Sequence, residues 1–193
     1  MKLHKRLFES SVLKIYKELP NIVKTLKEHD IEFVIIGGIS ARSLKLRRET
    51  EDLDLLISID DKKKFFKLVD KGYHSFKRKI PGSNIGYKWI GEDKVDIDVL
   101  FSKTPYNQGK IMYDDPGRLL VYMDNYPYLK LESFIKYKLM TGLEANRHKD
   151  FGDVQEIIRI WKLPRKFIDN VKTEEIYKQK YRELWDVRPQ NPE

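Results

Sequence analysis

Apolar and polar positions divide the chain into a sheet-forming stretch followed by a helical one. Residues 31–36 are almost all apolar and β-branched or aromatic, which is typical of a strand covered on both faces. Residues 94–101 alternate strictly between apolar and polar, which predicts a strand with one polar face. Residues 73–79 and 85–90 flank a Pro-Gly-Ser-Asn turn and predict an antiparallel hairpin.

Apolar positions at intervals of three and four predict the helices. Residues 5–19 form an amphipathic pattern, and Pro20 can open a second helix because proline suits the first helical turn. A short helix is predicted over residues 39–47, and another from Asp60 to about Lys71. The remaining predictions are a loop over 103–117, a strand over 119–123, and helices over 131–146, 150–161 and 165–185.

This order of elements predicts an α/β (α+β) fold with a mixed sheet and a helical C-terminal part. A chain of 193 residues is long enough for one ordinary domain with a helical extension. The composition changes near residue 129. We therefore predict an α/β domain with N-terminal helices over residues 1–128, and a helical part over residues 129–193 packed on it as one unit.

Two carboxylates stand on the strand that is predicted after a glycine turn. Asp52 and Asp54 are two residues apart, so both side chains point to the same face, with Cα atoms roughly 6.5 Å apart. Their neighbours are apolar, and two like charges on a buried strand repel each other unless a cation compensates. Gly37 and Gly38 let the preceding backbone turn sharply and approach a ligand. Together these residues predict a metal and phosphate site.

The same residues carry a family pattern, Gly37-Gly38 followed by Arg48-x-Thr50-x-Asp52-x-Asp54. It closely resembles the signature of nucleotidyltransferases of the DNA polymerase β-like superfamily. It looks most like the small branch that includes antibiotic nucleotidyltransferases and abortive-infection toxin-type transferases. The resemblance implies that the glycine turn contacts the nucleotide phosphates. It also implies that the two aspartates, with a third carboxylate from a later strand, hold a divalent metal and are catalytic.

Three further residues are assigned to nucleotide binding through this resemblance. Ser40 follows the glycine pair, at a position where many relatives have alanine. Arg48 and Thr50 precede the aspartates on the same strand or at its entry. Arg48 is expected to pair with phosphate or with the acid cluster.

The third carboxylate is either Asp98 or Asp96, because the alternation places both on one face of their strand. In the resembling family an acid precedes a short apolar run, which implies Asp98, with Asp96 as the alternative. Three oxygen ligands without a Cys or His cluster indicate Mg²⁺ or Mn²⁺ rather than zinc.

The predicted helix from residue 131 has Lys138 inside its apolar stripe. Such a lysine either extends from the edge of the stripe or points into a cleft. Lys138 and the later segment 147–153 resemble the helical part of the same family. The resemblance implies that Lys138 lies near the nucleotide phosphates, that Asp150 is a general base or an organiser, and that the site lies in a crevice between the two halves. The residues alone support Asp150 equally well as a helix N-cap.

Charge and composition add few constraints. The formal net charge is +8 and the estimated pI is about 9.4, which favours polyanionic ligands such as nucleotides or nucleic acid. The absence of cysteine excludes disulfides, thiolate metal sites and a thiol nucleophile. The N-terminus lacks the apolar core of a signal peptide, and no apolar run is long enough to cross a membrane. We therefore expect a cytoplasmic protein without a membrane partner.

These observations lead to one favoured hypothesis and two rivals. The favoured one is a metal-dependent nucleotidyltransferase that moves an NMP from an NTP to an acceptor and releases pyrophosphate. The acceptor stays open between a small molecule such as an antibiotic, a tRNA and a protein. The first rival is a catalytically inactive nucleotidyltransferase-like module that binds RNA or a protein partner, and the second is a simple basic RNA-binding domain.

Overall fold

A computed structural model describes residues 2–70, 78–79, 86–90, 95–102, 120–123 and 126–187. The chain divides into two compact units. The first comprises Met1–Ser40 and Arg48–Leu129, and the second comprises Ala41–Arg47 and Lys130–Glu193. Residues 41–47 belong to the second unit by their contacts. No helix among the described residues is both long and apolar enough to span a membrane.

The described part of the first unit forms a seven-stranded sheet in the order β3-β4-β5-β2-β1-β7-β6. The strands are β1 Phe33–Ile36, β2 Asp52–Ser58, β3 Arg78–Lys79, β4 Gly86–Ile90, β5 Asp96–Ser102, β6 Leu120–Met123 and β7 Tyr126–Leu129. Strand β2 runs antiparallel to β1 and parallel to β5, and β7 runs parallel to β1. The sheet is therefore mixed, and the predicted α/β fold is confirmed.

The hydrophobic core of this unit covers one face of β2 and β5. Helix α1 (Lys2–Glu28) and helix α3 (Lys62–Asp70) supply apolar side chains to it, among them Leu19, Leu26 and Phe65. Alternate residues of β2 and β5 join the same cluster, namely Leu53, Leu55, Ile57, Ile97, Val99 and Phe101. Because successive side chains of a strand point to opposite faces, the intervening aspartates lie on the face away from this cluster.

Helix α1 is one continuous helix with Pro20 inside it, so the predicted division into two helices is wrong. The apolar stripe explains the continuity. Buried side chains recur at intervals of four, three and four across the proline, at Ile15, Leu19, Ile22 and Leu26. Packing of this unbroken stripe on the sheet offsets the backbone hydrogen bond that proline removes.

The predicted hairpin is confirmed in its described part, where β3 and β4 pair antiparallel. Its turn over 81–84, the predicted loop over 103–117 and the tail from 188 lie outside the described residues. Strand β7 was not predicted, and it contains Pro127, a residue that is unfavourable inside a strand. It pairs nevertheless with β6 on one side and with β1 on the other.

The second unit contains helices α4 (Leu131–Glu144), α5 (Lys149–Ile160) and α6 (Glu175–Asp186). The single helix predicted over 165–185 is wrong, because a 3₁₀ helix over Arg165–Asn170 precedes α6. Val171 after it adopts an extended backbone and is buried, which interrupts the helical course. Helix α2 spans Gly37–Ser43, so it starts at the glycine pair and ends earlier than predicted.

Candidate active site

Three carboxylates converge where β2 and β5 run side by side. The parallel register places Asp54 opposite Asp98 and Asp52 opposite Asp96. Each of Asp52, Asp54 and Asp98 offers a carboxylate oxygen within 4.8 Å of the others, and all three side chains are half-buried. Asp96 is not part of this group, although its position on the strand gives it the same orientation. We call Asp52, Asp54 and Asp98 the acidic triad.

Gly37 lies against the triad because of the strand register. Ile36 pairs with Asp54 across β1 and β2, so the next residue of the chain turns directly beside that carboxylate. Gly37 has a φ of 63°, a left-handed conformation that favours glycine. A Cβ atom at this position would also overlap the Asp54 carboxylate. Both the backbone angle and the closeness of Asp54 therefore require glycine here.

Gly38 is held in the same way by Thr50. A Cβ atom on Gly38 would lie 2.5 Å from both Cβ and Oγ1 of Thr50. The buried Thr50 hydroxyl can donate to the Asp52 backbone oxygen at 3.0 Å or to Asp52 Oδ1 at 3.1 Å. Thr50 therefore fixes the orientation of the Asp52 carboxylate, a role that its position in the sequence motif does not reveal.

Two other residues of this unit, Ser40 and Arg48, are assigned to nucleotide binding. Ser40 is fully buried on α2. Arg48 is half-buried in the segment between α2 and β2. Their contacts with a nucleotide stay predictions.

The acidic triad has the chemistry of a site for a hard divalent cation. Two full negative charges 4.8 Å apart repel by about 3 kcal/mol at an effective dielectric constant of about 20. Three carboxylates therefore disfavour each other unless a cation lies among them. Oxygen ligands without sulfur or imidazole suit Mg²⁺ or Mn²⁺. Among the described residues, the acidic triad is the group of three His, Cys, Asp or Glu side chains whose ligand atoms all lie within 4.8 Å of one another.

Lys138 and Asp150 meet inside the second unit. The Lys138 Nζ lies 2.7 Å from Asp150 Oδ1 and 2.7 Å from Asp153 Oδ2. Lys138 is 2% exposed and Asp150 is 1% exposed. The Thr141 hydroxyl donates to Asp150 Oδ2 at 2.8 Å. Lys138 therefore does not extend from the edge of its stripe, and both oxygens of Asp150 accept hydrogen bonds.

Asp150 has a lowered pKa. Burial alone raises the pKa of this carboxyl, but the hydrogen bond and charge of Lys138, the Thr141 hydroxyl and the charge of Arg147 together lower it below the ordinary value. A carboxylate with a low pKa is a weak base, which favours an organising role over a general base. The N-cap of α5 is His148, so Asp150 is not the N-cap.

Sequence reasoning missed the partners of Lys138. Lys138 and Thr141 are three residues apart on α4, and Asp150 and Asp153 are three apart on α5, so each pair shares a helix face. A lysine in an apolar stripe, with two acids at this spacing on the next helix, is the signal that indicates a buried ion pair.

Comparison with known proteins supports the fold. No protein-family model matches the chain, and no curated protein sequence matches it. Among solved structures, an antigenic nucleotidyltransferase-like protein from Paracoccidioides brasiliensis is similar with a TM-score of 0.55 and 19% identity. The match covers 87% of this chain and 85% of that one.

A second similar structure is ANT(2″)-Ia in complex with adenylyl-2″-tobramycin. Its TM-score is 0.54 at 13% identity, and the match covers 88% of this chain and 97% of that one. The chain therefore has a nucleotidyltransferase fold, and the resemblance seen in the sequence motif is confirmed at the level of the fold.

Proposed function

We propose that this protein is a metal-dependent nucleotidyltransferase that transfers an NMP from an NTP to an acceptor and releases pyrophosphate. The observation that carries this proposal is the acidic triad. Its three carboxylates come from two adjacent parallel strands and lie within 4.8 Å of one another. The glycine turn that packs against Asp54 belongs to the same motif.

Asp52, Asp54 and Asp98 would hold Mg²⁺ or Mn²⁺, which when bound neutralises triphosphate charge and makes an acceptor oxygen more nucleophilic. Thr50 orients Asp52 for this task through its hydroxyl. Gly37 and Gly38 let the turn pack directly against Asp54 and Thr50, which keeps the turn beside the triad.

The transfer itself exchanges one phosphorus–oxygen bond for another. The acceptor oxygen bonds to the α-phosphorus, the bond from the α-phosphorus to its bridging oxygen breaks, and pyrophosphate leaves with that oxygen. The acceptor proton passes to a carboxylate of the triad. We assign Asp150 an organising role, because Lys138 and Thr141 already occupy its two oxygens.

Lys138 is proposed to contact the nucleotide phosphates, as the family motif implies. Its Nζ contacts two carboxylates with two of its three N–H donors, so a phosphate would have to accept from the third or replace one carboxylate. The similar structure of ANT(2″)-Ia carries an adenylylated antibiotic. For this chain the acceptor classes stay a small molecule, a tRNA or a protein.

Labelled NTPs in a cell extract test the proposal. A label on the α-phosphate should appear on an acceptor in the presence of magnesium, whereas a label on the γ-phosphate should leave with pyrophosphate. Asp54→Asn and Asp98→Asn should abolish transfer. Asp96→Asn is the matched control and should retain it, because Asp96 is outside the triad.

Transfer of the γ-label instead would show a different reaction. Transfer of the α-label by Asp54→Asn would show that the triad does not catalyse it. Tight binding of RNA or protein by a chain that transfers neither label would favour the inactive binding module.

A further inference from the structure

Trp161 presents an exposed, fixed aromatic ring on the second unit. Trp161 directly follows the last residue of α5, and it is 41% exposed. The indole Nε1 donates a hydrogen bond to the Leu44 carbonyl oxygen at 3.0 Å. This bond limits rotation of the ring, so covering the indole with a ligand costs less side-chain entropy than covering an unattached one.

One lysine lies over this ring, and a second follows Trp161 in the sequence. The Lys45 Nζ lies over the Trp161 indole, 5.3 Å from the ring centroid, which is a cation–π contact. Lys162 is the next residue after Trp161, and both lysines are exposed. In the part of the chain that the structure describes, neither lysine has an ion-pair partner. The two charges are therefore available to an anionic ligand.

Both lysines occupy positions where glycine is the ordinary residue. Lys45 has a φ of 70° and Lys162 a φ of 49°, in the left-handed region. Each ends its helix in the same hydrogen-bond pattern. The residue after Lys45 donates its N–H to the Ala41 carbonyl, and the residue after Lys162 donates to the Ile158 carbonyl. A residue with a Cβ atom is disfavoured in this conformation, so both lysines stand here against the preference of the backbone.

We propose that Trp161, Lys45 and Lys162 form a binding site for single-stranded nucleic acid. A base replaces the Lys45 ammonium over the indole face, since the exposed lysine side chain can turn aside, and the two ammonium groups contact the flanking phosphates. Proteins that bind single strands combine these two features, because every base has a π-face and every nucleotide a phosphate. The net charge of +8 favours the same class of ligand. The site requires neither the acidic triad nor an NTP, so it does not depend on the proposed transfer reaction.

Fluorescence anisotropy with a labelled oligouridylate, in EDTA and without NTP, tests this site. Trp161→Leu should weaken binding about tenfold or more, the effect of losing one stacked base. Lys45→Gly with Lys162→Gly should reduce the slope of log affinity against log salt by about 1.4, since each phosphate contact on a single strand contributes about 0.7. The double glycine variant should melt no lower than wild type, because glycine suits both backbone angles.

Matched controls separate this site from general charge and folding effects. Lys14→Gln with Lys17→Gln removes two exposed charges from α1 and should lower affinity less than the glycine pair. Trp185→Leu removes another indole that donates to a backbone carbonyl, here that of Leu163 at 2.9 Å, and should retain RNA binding.

Three results would overturn the site. The first is no binding of the oligouridylate by wild type. The second is equal loss of affinity in the two lysine double variants. The third is competition by inorganic polyphosphate or polyglutamate at the same charge concentration as RNA, because neither competitor has bases to stack on the indole.

Discussion

At the scale of single residues, the space around the position of an added Cβ atom determines how a substitution at each glycine changes stability. Gly37 and Gly38 have no room for a Cβ atom, because Asp54 and Thr50 occupy it. At Gly142 on α4 the Phe151 ring occupies this space, and its nearest atom would lie 2.3 Å from an added Cβ atom. Gly152 on α5 has no atom within 4 Å of that position. The four positions therefore predict opposite effects of the same substitution.

Gly37→Ala should lose at least about 2 kcal/mol of unfolding free energy. The left-handed backbone costs about 1 kcal/mol or more for alanine, and the overlap with Asp54 adds to it. Gly152→Ala, in an exposed helical position, should gain about 0.5–1 kcal/mol. Urea unfolding of the two variants and wild type measures both. Equal stability of the two variants would mean that Gly37 does not pack against Asp54 as described.

At the scale of elements, α4 and α5 are joined by a buried charge cluster. Lys138 on α4 forms ion pairs with Asp150 and Asp153 on α5, and the Thr141 hydroxyl donates a hydrogen bond to Asp150. A buried cation that loses its partners, or buried carboxylates that lose their cation, cost several kcal/mol. The cluster therefore fixes how these two helices pack, whatever its part in nucleotide binding.

Lys138→Met should lose about 3–5 kcal/mol of unfolding free energy at neutral pH, because the buried Asp150 and the partly buried Asp153 lose their cation. Lys136→Met on the same helix should lose less than about 1.5 kcal/mol of unfolding free energy. This loss is smaller because the hydrogen bond that the Lys136 Nζ donates to the Lys172 carbonyl oxygen is exposed. Chemical unfolding of both variants provides the comparison. Similar losses in the two variants would mean that the buried cluster does not stabilise the fold.

The pH dependence of unfolding should differ in sign between wild type and Lys138→Met. In wild type the pKa of Asp150 is lowered, so its stabilisation is fully present above the ordinary aspartate pKa and is lost as pH falls through the lowered value. Without the lysine, burial dominates and the Asp150 pKa should rise. The variant's deficit should then shrink as pH falls from about 7 towards about 4. A deficit that is constant with pH would contradict this assignment.

The limits of sequence prediction are also clearest at this scale. The strand and glycine pattern predicted β1, β2 and β5, because two-sided burial and strict alternation are strong local signals. Pro127 masked β7, and Pro20 suggested a break that the continuous stripe of α1 overrides. Lys138 could be interpreted in two ways from its own helix, and only the packing of α5 supplies its carboxylates. Pairing between distant segments is the information that one element's pattern does not contain.

At the scale of the whole molecule, the proposed transfer activity depends on the sheet. The parallel pairing of β2 with β5 brings Asp98 beside Asp54 from a strand more than forty residues further along the chain. The motif around Asp52 and Asp54 predicted the first two carboxylates, and the family resemblance favoured Asp98 over Asp96 as the third. The positions of the carboxylate oxygens group Asp98 with the first two. The fold shared with nucleotidyltransferases of low sequence identity is consistent with this arrangement.

Calorimetric titration with ATP, GTP, CTP and UTP, with magnesium and with EDTA, tests the central proposal most directly. Wild type should bind at least one NTP saturably with magnesium and much more weakly in EDTA, because in the proposed function the triad would hold the nucleotide through the ion. Asp54→Asn should weaken magnesium-dependent binding about tenfold or more, and Asp96→Asn should leave it unchanged. The absence of magnesium-dependent binding with all four nucleotides, or unchanged binding by Asp54→Asn, would contradict the account.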